Sequence, residues 1–200
     1  MKKTLLLALA LLSALTLSAQ KEDTNPKHDA HYMRGNVPVV NGVVTFSDTI
    51  AAPGKTQSDI YLALNAYVKT LVDQGREGLR TRLVSEEPAT FTTVAKVEEI
   101  LTFSKKFLAW DHTYMRYLVR AEAPAEGVGI LTITQMSYNY QFDENGENGQ
   151  IYRAEEWITD DVAVNKKNTK LYPRSGKFRR HTIDRMLEIF AQAKEAVTKP

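Results

Sequence analysis

The 200-residue sequence predicts an α+β fold, in which one curved antiparallel sheet of about five strands carries two main helices on one face. Residues 91–110 alternate apolar and polar side chains over a length typical of one long strand. Two other stretches, 56–75 and 183–197, place their apolar residues at helical spacing. A sheet with one apolar face needs a cover, and two one-sided helices provide it.

Residues 1–20 have the regions of a secretory signal peptide. Lys2 and Lys3 form its charged start, and an apolar run over residues 5–17 leads to a small-residue end. The run is shorter than the ~18 apolar residues that a membrane-spanning helix requires. We therefore expect a leader that is removed on export, periplasmic or extracellular localisation, and a flexible polar segment over residues 21–36.

Removal of that leader changes the charge balance. The chain has 26 basic and 24 acidic residues, and the leader contributes two basic ones, which leaves 24 of each. A general attraction to polyanions is therefore not expected, and nucleic acid is not a predicted partner. The chain has no cysteine, so disulfides are excluded and the fold depends on its hydrophobic core.

The predicted single domain covers residues 37–200. It begins with an Asn41-Gly42 turn and a strand from Val43. Thr56 and Asp59 have the spacing of a capping box, which predicts a helix start. The apolar residues of this helix follow at helical spacing, and Gly75 is its expected end: Ile60, Leu64, Tyr67, Val68 and Leu71.

Four antiparallel strands are predicted next, beginning with an edge strand over residues 79–84. The long strand over residues 91–110 turns at Asp111-His112 into residues 113–121, and residues 128–142 form the last strand. The apolar phase of the long strand, predicted to be buried, consists of Val97, Leu101, Phe103, Phe107 and Ala109. Alternation in the last strand changes phase near Gln135, which indicates either a β-bulge there or a strand that is buried on both sides at one end.

The C-terminal part is predicted as a short helix over residues 154–164, a connecting loop over residues 165–180 and a final helix. The apolar side of that helix consists of Ile183, Leu187, Phe190 and Val197, flanked by Met186 and Ile189.

Seven basic residues and no acidic one occur between residues 166 and 180, and they form the candidate binding site. They are Lys166, Lys167, Lys170, Arg174, Lys177, Arg179 and Arg180. Gathered on one surface, they would bind phosphate-bearing lipids, acidic polysaccharide or an acidic partner protein. The alternative is a solvated loop, or a loop paired with the acidic residues between 143 and 161.

Four carboxylates, Glu155, Glu156, Asp160 and Asp161, suggest acid-base chemistry in a hydrolase, although acidic residues near helix starts are more often solvated. His28 and His31 lack a third metal ligand nearby, and the acidic loop over residues 143–149 lacks the ligand ladder of a calcium loop. No motif indicates a nucleophile or a phosphate-binding loop, so no cofactor, metal or catalytic residue is predicted.

The sequence VPVVNGVVTFSDTI (residues 37–50), followed by APGKTQSDIYLALNAYV (residues 52–68), resembles the opening of a family of bacterial exported proteins of unknown function. The family is described as having a TATA-binding-protein-like (TBP-like) fold, which implies the element order derived above. The resemblance extends over residues 37–142, and AEEWITD and GKFRRHTID resemble the tail of longer members. This chain has Tyr67 where shorter members have Trp, and a longer acidic loop before Tyr152. The family has no established catalytic residues to transfer.

The resulting prediction is an exported, non-catalytic envelope protein that binds an unidentified protein or anionic component through a sheet face or the basic stretch. The alternative is an accessory subunit of an envelope complex that self-associates through its edge strand. A hydrolase using the four carboxylates is the third hypothesis.

Overall fold

The computed structural model describes residues 28–75, 80–107, 109–141 and 149–199. Its elements, in chain order, are β1 (Val39–Val40), β2 (Val43–Val44), β3 (Phe46–Ala51), α1 (Gln57–Gln74), β4 (Arg82–Glu87), β5 (Thr92–Lys106), β6 (Ala109–Ala125), β7 (Val128–Tyr140), β8 (Gln150–Arg153), α2 (Ala154–Trp157), α3 (Asp160–Ala163) and α4 (Pro173–Thr198). The predicted leader, and nearly all of the acidic loop considered for calcium, lie outside the described residues.

Six strands form one antiparallel sheet, whose main path is β3-β7-β6-β5-β4. β3 pairs with residues 128–133 of β7, and β8 pairs with residues 137–140 of the same strand. β6 pairs along one edge of β7. β3 and β8 therefore both pair with its other edge, one after the other along the strand. The predicted α+β class is confirmed, with six strands instead of about five.

A β-bulge at Gln135 allows both halves of β7 to bury apolar side chains. Gln135 has φ +54°, and the register of β7 against β6 shifts beside it. Leu131 and Ile133 before the bulge, and Met136 and Tyr138 after it, are all fully buried. Without the extra residue, the second pair would point to the opposite face. Of the two alternatives that the sequence leaves open, the structure therefore shows the bulge.

The β5–β6 hairpin turns at Phe107, and not at Asp111-His112 as the sequence predicts, because both of those residues lie within β6. Val97 and Leu101 are buried as expected, whereas Phe107 is 98% exposed. Phe103 is half-buried against Phe178 of α4, and the pairs beyond Phe103 lie outside the part of the sheet that the helices cover, so Phe107 and Ala109 continue the alternation without burial.

Helices α1 and α4 pack on one face of the sheet and against each other. The Thr56–Asp59 capping box and the end at Gly75 are confirmed for α1. The predicted loop over residues 165–180 is wrong from residue 173 onward, because α4 begins at Pro173, a residue favoured in the first turn of a helix. In α4, Met186 and Ile189 lie in the buried stripe that also holds Ile183, Ala193 and Val197, while Leu187 is exposed.

Three other predicted boundaries need correction. β4 runs over Arg82–Glu87 instead of residues 79–84, and the single short helix is two separate turns, α2 and α3. The predicted flexible segment does not extend to residue 36, because Tyr32 donates to Asp184 Oδ1 at 2.9 Å and Met33 is buried. Among the described residues, no helix has the length and apolar character needed to cross a bilayer.

Candidate functional site

The seven basic residues of the predicted site are divided between a loop and the start of α4. Lys166, Lys167 and Lys170 are exposed in the loop before the helix. Arg174 is exposed in the first turn, where it donates to the Tyr152 hydroxyl at 3.2 Å and lies 5.3 Å from the Trp157 ring centre. Arg180 is half-buried, with Nη2 at 3.0 Å from His181 Nε2. Of the seven residues, only Lys166, Lys167, Lys170 and Arg174 are exposed.

Arg179 lies inside the domain and is fully buried. Its guanidinium donates to the carbonyl oxygens of Tyr32, Met33 and Ile158, and to Asp160 Oδ1 at 2.8 Å. Burial lowers the pKa of Arg179, and the hydrogen bond to Asp160 opposes that shift. Arg179 therefore connects residues 32 and 33 to α4. Its predicted place in a surface site is wrong, because the side chain is buried.

The Lys177 side chain also forms contacts within the domain. Its Nζ donates to Asp111 Oδ2 and to the Tyr140 hydroxyl, both at 2.7 Å, and lies 4.8 Å from the Phe103 ring centre. Burial alone would lower the pKa of Lys177, but the hydrogen bonds to Asp111 and Tyr140 outweigh it and raise the pKa. A lysine held charged in this way is a structural cation and not a nucleophile.

The four carboxylates considered for hydrolysis do not converge on a cleft. Glu155, Asp160 and Asp161 each accept a hydrogen bond from a different group within residues 34–44, while Glu156 is exposed. Glu155 Oε1 accepts from the Val44 amide, Asp160 Oδ2 from the Gly35 amide and Asp161 Oδ1 from Arg34, each at 2.9 Å. This geometry gives the hydrolase hypothesis no support.

The two N-terminal histidines lie in the packed segment before β1. Asp29 Oδ1 accepts from the His31 amide at 2.8 Å and so caps the short 3-10 helix Ala30–Tyr32. The described part of the chain contains no group of three histidine or carboxylate side chains placed to hold a metal ion.

A different set of cations meets on the open face of the sheet, opposite the helices, around a cleft of about 280 Å³. We call it the basic cleft and define its cationic lining as Arg80, Arg82, Lys96 and Arg116. Arg82 of β4 lies directly opposite Lys96 of β5. Arg116 reaches the cleft from β6, where it lies opposite Glu98, two residue pairs along from Lys96. The strand register therefore brings together cations that are distant in sequence.

A buried carboxylate beneath the basic cleft positions two of these cations. The side chain of Glu98 is fully buried, and its Oε2 accepts from Arg116 Nε and lies 3.8 Å from Arg80 Nη1. The Arg116 and Arg80 side chains remain 27% and 47% exposed, so they keep donors on the cleft side. One carboxylate cannot neutralise both of the arginines that it contacts, so this pair of arginines keeps an excess of positive charge.

Polar groups and one uncompensated cation complete the basic cleft. Gln135 at the β-bulge and Ser137 of β7 line it, and Ser137 lies opposite Arg116. Lys96 is exposed and forms no ion pair within the described ranges of the chain. Guanidinium, ammonium, amide and hydroxyl donors around a small concavity suit a carboxylate or phosphate group.

The sequence contains a signal for this site, but the signal is incomplete. Lys96 and Arg116 occupy the polar phase of two strands whose other phase is buried, so each is expected on the open face. Which cations become neighbours depends on the register between strands. The register of β5 against β6 depends on the turn at Phe107 and on an irregularity between Thr102 and Ser104, and that of β6 against β7 depends on the bulge at Gln135. The sequence indicates only the last of these.

In a second cleft, on the helix side of the sheet, the charged side chains already pair with one another. It is lined by Glu99, Arg185 and Glu188, together with Gln74 and Gly75. Arg185 binds both oxygens of Glu99 at 3.0 and 2.8 Å and also binds Glu188 at 2.7 Å. These bonds raise the pKa of Arg185 even though burial acts in the opposite direction.

Comparisons with known proteins relate the chain to a family without an assigned activity. The family model described as a domain of unknown function (DUF4468) with TBP-like fold matches residues 46–139. The crystal structure of a DUF4468 family protein from Bacteroides ovatus superposes with a TM-score of 0.77 at 30% identity, over 86% of this chain and 96% of that one.

The crystal structure of a TBP-like protein from Parabacteroides distasonis superposes with a TM-score of 0.64 at 21% identity, over 81% of this chain and 97% of that one. At that identity the similarity shows the fold alone. No curated protein matches the chain. All four cations of the basic cleft lie within the segment that the family model matches, whereas the loop before α4 lies outside it.

Proposed function

The chain belongs to the DUF4468 family of domains with a TBP-like fold, and from that premise we propose an exported, non-catalytic binding protein whose basic cleft holds an oxyanion of its ligand. The observation that carries the proposal is the convergence of Arg80, Arg82, Lys96 and Arg116 around one concavity. Export is inferred from the signal-like residues 1–20.

The size and chemistry of the basic cleft define the ligand class. Its volume of about 280 Å³ accommodates one charged group with a few attached atoms and excludes a folded partner. Planar guanidinium groups bind carboxylate and phosphate through paired hydrogen bonds. An acidic sugar of an envelope polysaccharide and a phosphate-bearing envelope component both present such a group.

We assign no catalytic role because of the chemistry of the residues that line the basic cleft. The basic cleft has hydrogen-bond donors in Lys96, Gln135 and Ser137, and the described residues that line it include no carboxylate or histidine to act as a general base. Donors alone bind and orient an anion. The proposed role is therefore recognition.

The test compares two charge-reversed variants of the processed chain. Lys96→Glu changes the basic cleft, and the control Lys166→Glu/Lys167→Glu changes the exposed loop before α4. We expect Lys96→Glu to weaken binding to polygalacturonate or to inorganic phosphate by roughly 10- to 100-fold, since a hydrogen bond to a charged group contributes about 1.5–3 kcal/mol. The two probes separate a carboxylate ligand from a phosphate one, and neither presents a lipid surface.

The control variant should retain wild-type binding after correction for its lower net charge. If the loop variant loses binding and Lys96→Glu does not, the loop before α4 is the site and the basic cleft is not. Failure of the wild-type chain to bind either probe would also contradict the proposal.

Self-association through β4 is a second candidate function, because β4 ends the main path of the sheet and carries the exposed Val84. Charged residues flank this side chain on the same strand, Arg82 on one side and Glu86 on the other, and such charges oppose strand pairing. Mass measurement by size-exclusion chromatography with light scattering separates the two hypotheses. A dimer that Val84→Lys dissociates would support self-association.

A further inference from the structure

The end of the β5–β6 hairpin projects beyond the rest of the sheet. β4 pairs with β5 as far as Lys96, and β7 pairs with β6 from Tyr114 onward. Among the described residues, 101–106 and 109–113 therefore pair only with each other, as a two-stranded arm. Its base is anchored on α4, where the Phe103 and Phe178 ring centres are 4.6 Å apart.

The tip of this arm combines exposed aromatic rings with cations. Phe107 is 98% exposed, the highest value among the large hydrophobic side chains that the structure describes, and Trp110 is 47% exposed. Lys105 and Lys106 are exposed beside them and have no ion-pair partner in the described part of the chain. We call Lys105, Lys106, Phe107 and Trp110 the hairpin tip.

Internal contacts hold the hairpin tip in this arrangement. The Trp110 indole Nε1 donates to Thr102 Oγ1 at 3.2 Å, and its ring stacks on His112 with centres 3.8 Å apart. Lys105 Nζ lies 5.5 Å from the Trp110 ring centre. The indole donor is therefore satisfied without water, which reduces the cost of moving the ring into an interface.

We propose that the hairpin tip binds an anionic lipid surface, with Phe107 in the acyl region and Trp110, Lys105 and Lys106 at the level of the headgroups. A fully exposed phenylalanine loses unfavourable hydration on insertion. Lysine side chains extend their charge to phosphates while their methylene stems contact apolar atoms, and tryptophan is favoured at the same depth. The two lysines add attraction to acidic headgroups.

A lipid surface fits this tip better than a second protein chain does. A stable protein interface buries about 800 Å² on each partner, and the end of a two-stranded arm with one protruding ring offers much less. A bilayer needs no complementary shape. The hairpin tip is a different surface from the basic cleft, so this inference stands or fails separately from the proposed function.

The experiment uses vesicles of phosphatidylglycerol and phosphatidylcholine and the chain without its predicted leader, whose apolar residues would bind vesicles themselves. The chain has two tryptophans, so Trp157→Phe leaves Trp110 as the single tryptophan reporter. We expect its emission to shift to the blue on vesicle addition and to be quenched by brominated acyl chains. Sedimentation of the chain with both tryptophans gives the partition coefficient independently.

Phe107→Ser should lower partition by roughly 10- to 100-fold, the factor expected for losing a buried phenylalanine side chain. Lys105→Gln/Lys106→Gln should lower it by roughly 10- to 30-fold on phosphatidylglycerol and leave it unchanged on pure phosphatidylcholine. The matched control is Ile151→Ser, which removes an exposed apolar side chain of β8 and should have no effect.

Three results would overturn the inference. They are equal partition of Phe107→Ser and wild type, absence of Trp110 quenching, and a blue shift that appears on concentrating the chain without vesicles, which indicates self-contact. Lys96→Glu should partition as the wild type does, which distinguishes failure of the hairpin tip from failure of the basic cleft.

Discussion

Arg179 shows that a basic residue in a cationic stretch can belong to the protein interior. Its guanidinium fastens the carbonyl oxygens of residues 32, 33 and 158 to α4. The sequence predicts a partner site at this position because seven cations occur without an acid. What the sequence does not show is that Tyr32 and Met33, more than 140 residues away, supply the acceptors.

Substitution of Arg179 tests this structural role. Arg179→Met leaves buried carbonyl oxygens without donors and Asp160 without its cation. We expect the free energy of unfolding, measured by urea denaturation, to fall by about 3–5 kcal/mol. Lys166→Met, in the exposed loop, should change it by less than about 0.5 kcal/mol. Equal stability of the two variants would contradict the buried assignment.

His181 gives the fold a pH dependence with a defined sign. Burial and the adjacent Arg180 lower the pKa of His181 from 6.5, although Asp184 and Asp111 oppose the shift. The unfolded chain therefore binds the proton more readily than the folded one. Stability from this residue is present above pH ~6.5 and is lost as the pH falls toward the folded pKa.

We expect the free energy of unfolding of the wild type to decrease between pH 7.5 and 5.5, and His181→Gln to show a weaker dependence. Urea titrations at intermediate pH values measure both. His31→Gln, in the segment before β1, serves as the control and should retain the wild-type dependence. A His181→Gln profile parallel to the wild type would show that another group is responsible.

At the scale of elements, the sequence correctly predicts features that depend only on residues close together in the chain. The capping box of α1 is one case, since Thr56 Oγ1 accepts from the Asp59 amide at 3.1 Å. The bulge at Gln135 is another, because the change of phase is visible within β7 itself. The turn at Phe107 was not predicted, because apolar and polar side chains continue to alternate past the covered part of the sheet. The start of α4 was not predicted, because the basic residues in its first turns interrupt the apolar spacing of the helix.

The capping box provides a quantitative test at this scale. Thr56→Ala removes the side-chain acceptor of a helix amide and should lower the free energy of unfolding by about 1 kcal/mol. Thr56→Ser keeps the acceptor and should restore most of that loss. Thermal or urea denaturation measures both variants. An unchanged midpoint for Thr56→Ala would mean that the α1 start depends on packing alone.

For the whole molecule, the division of the sheet into a covered and an open face determines where binding can occur. Helices α1 and α4 bury one face, so polar side chains of β4 to β7 accumulate on the other. The fold class, the helices and the buried phase of β5 as far as Leu101 were predictable from periodicity. The basic cleft was not, because it depends on which residues of three strands become neighbours.

The two proposed surfaces have separate locations on this fold. The basic cleft lies in the middle of the open face, where β4, β5, β6 and β7 contribute side chains. The hairpin tip lies at the free end of β5 and β6. A protein with both would hold an anionic ligand on the sheet while its arm contacts a lipid surface.

The most direct test of the basic cleft is a titration of the 15N-labelled chain with sodium glucuronate and, separately, with inorganic phosphate, followed by NMR. We expect the backbone amide signals of Lys96, Arg116 and Ser137 to move in a saturable way and those of residues 166–170 to stay in place. Saturable shifts confined to residues 166–170, or no shift at the basic cleft with either anion, would contradict the account.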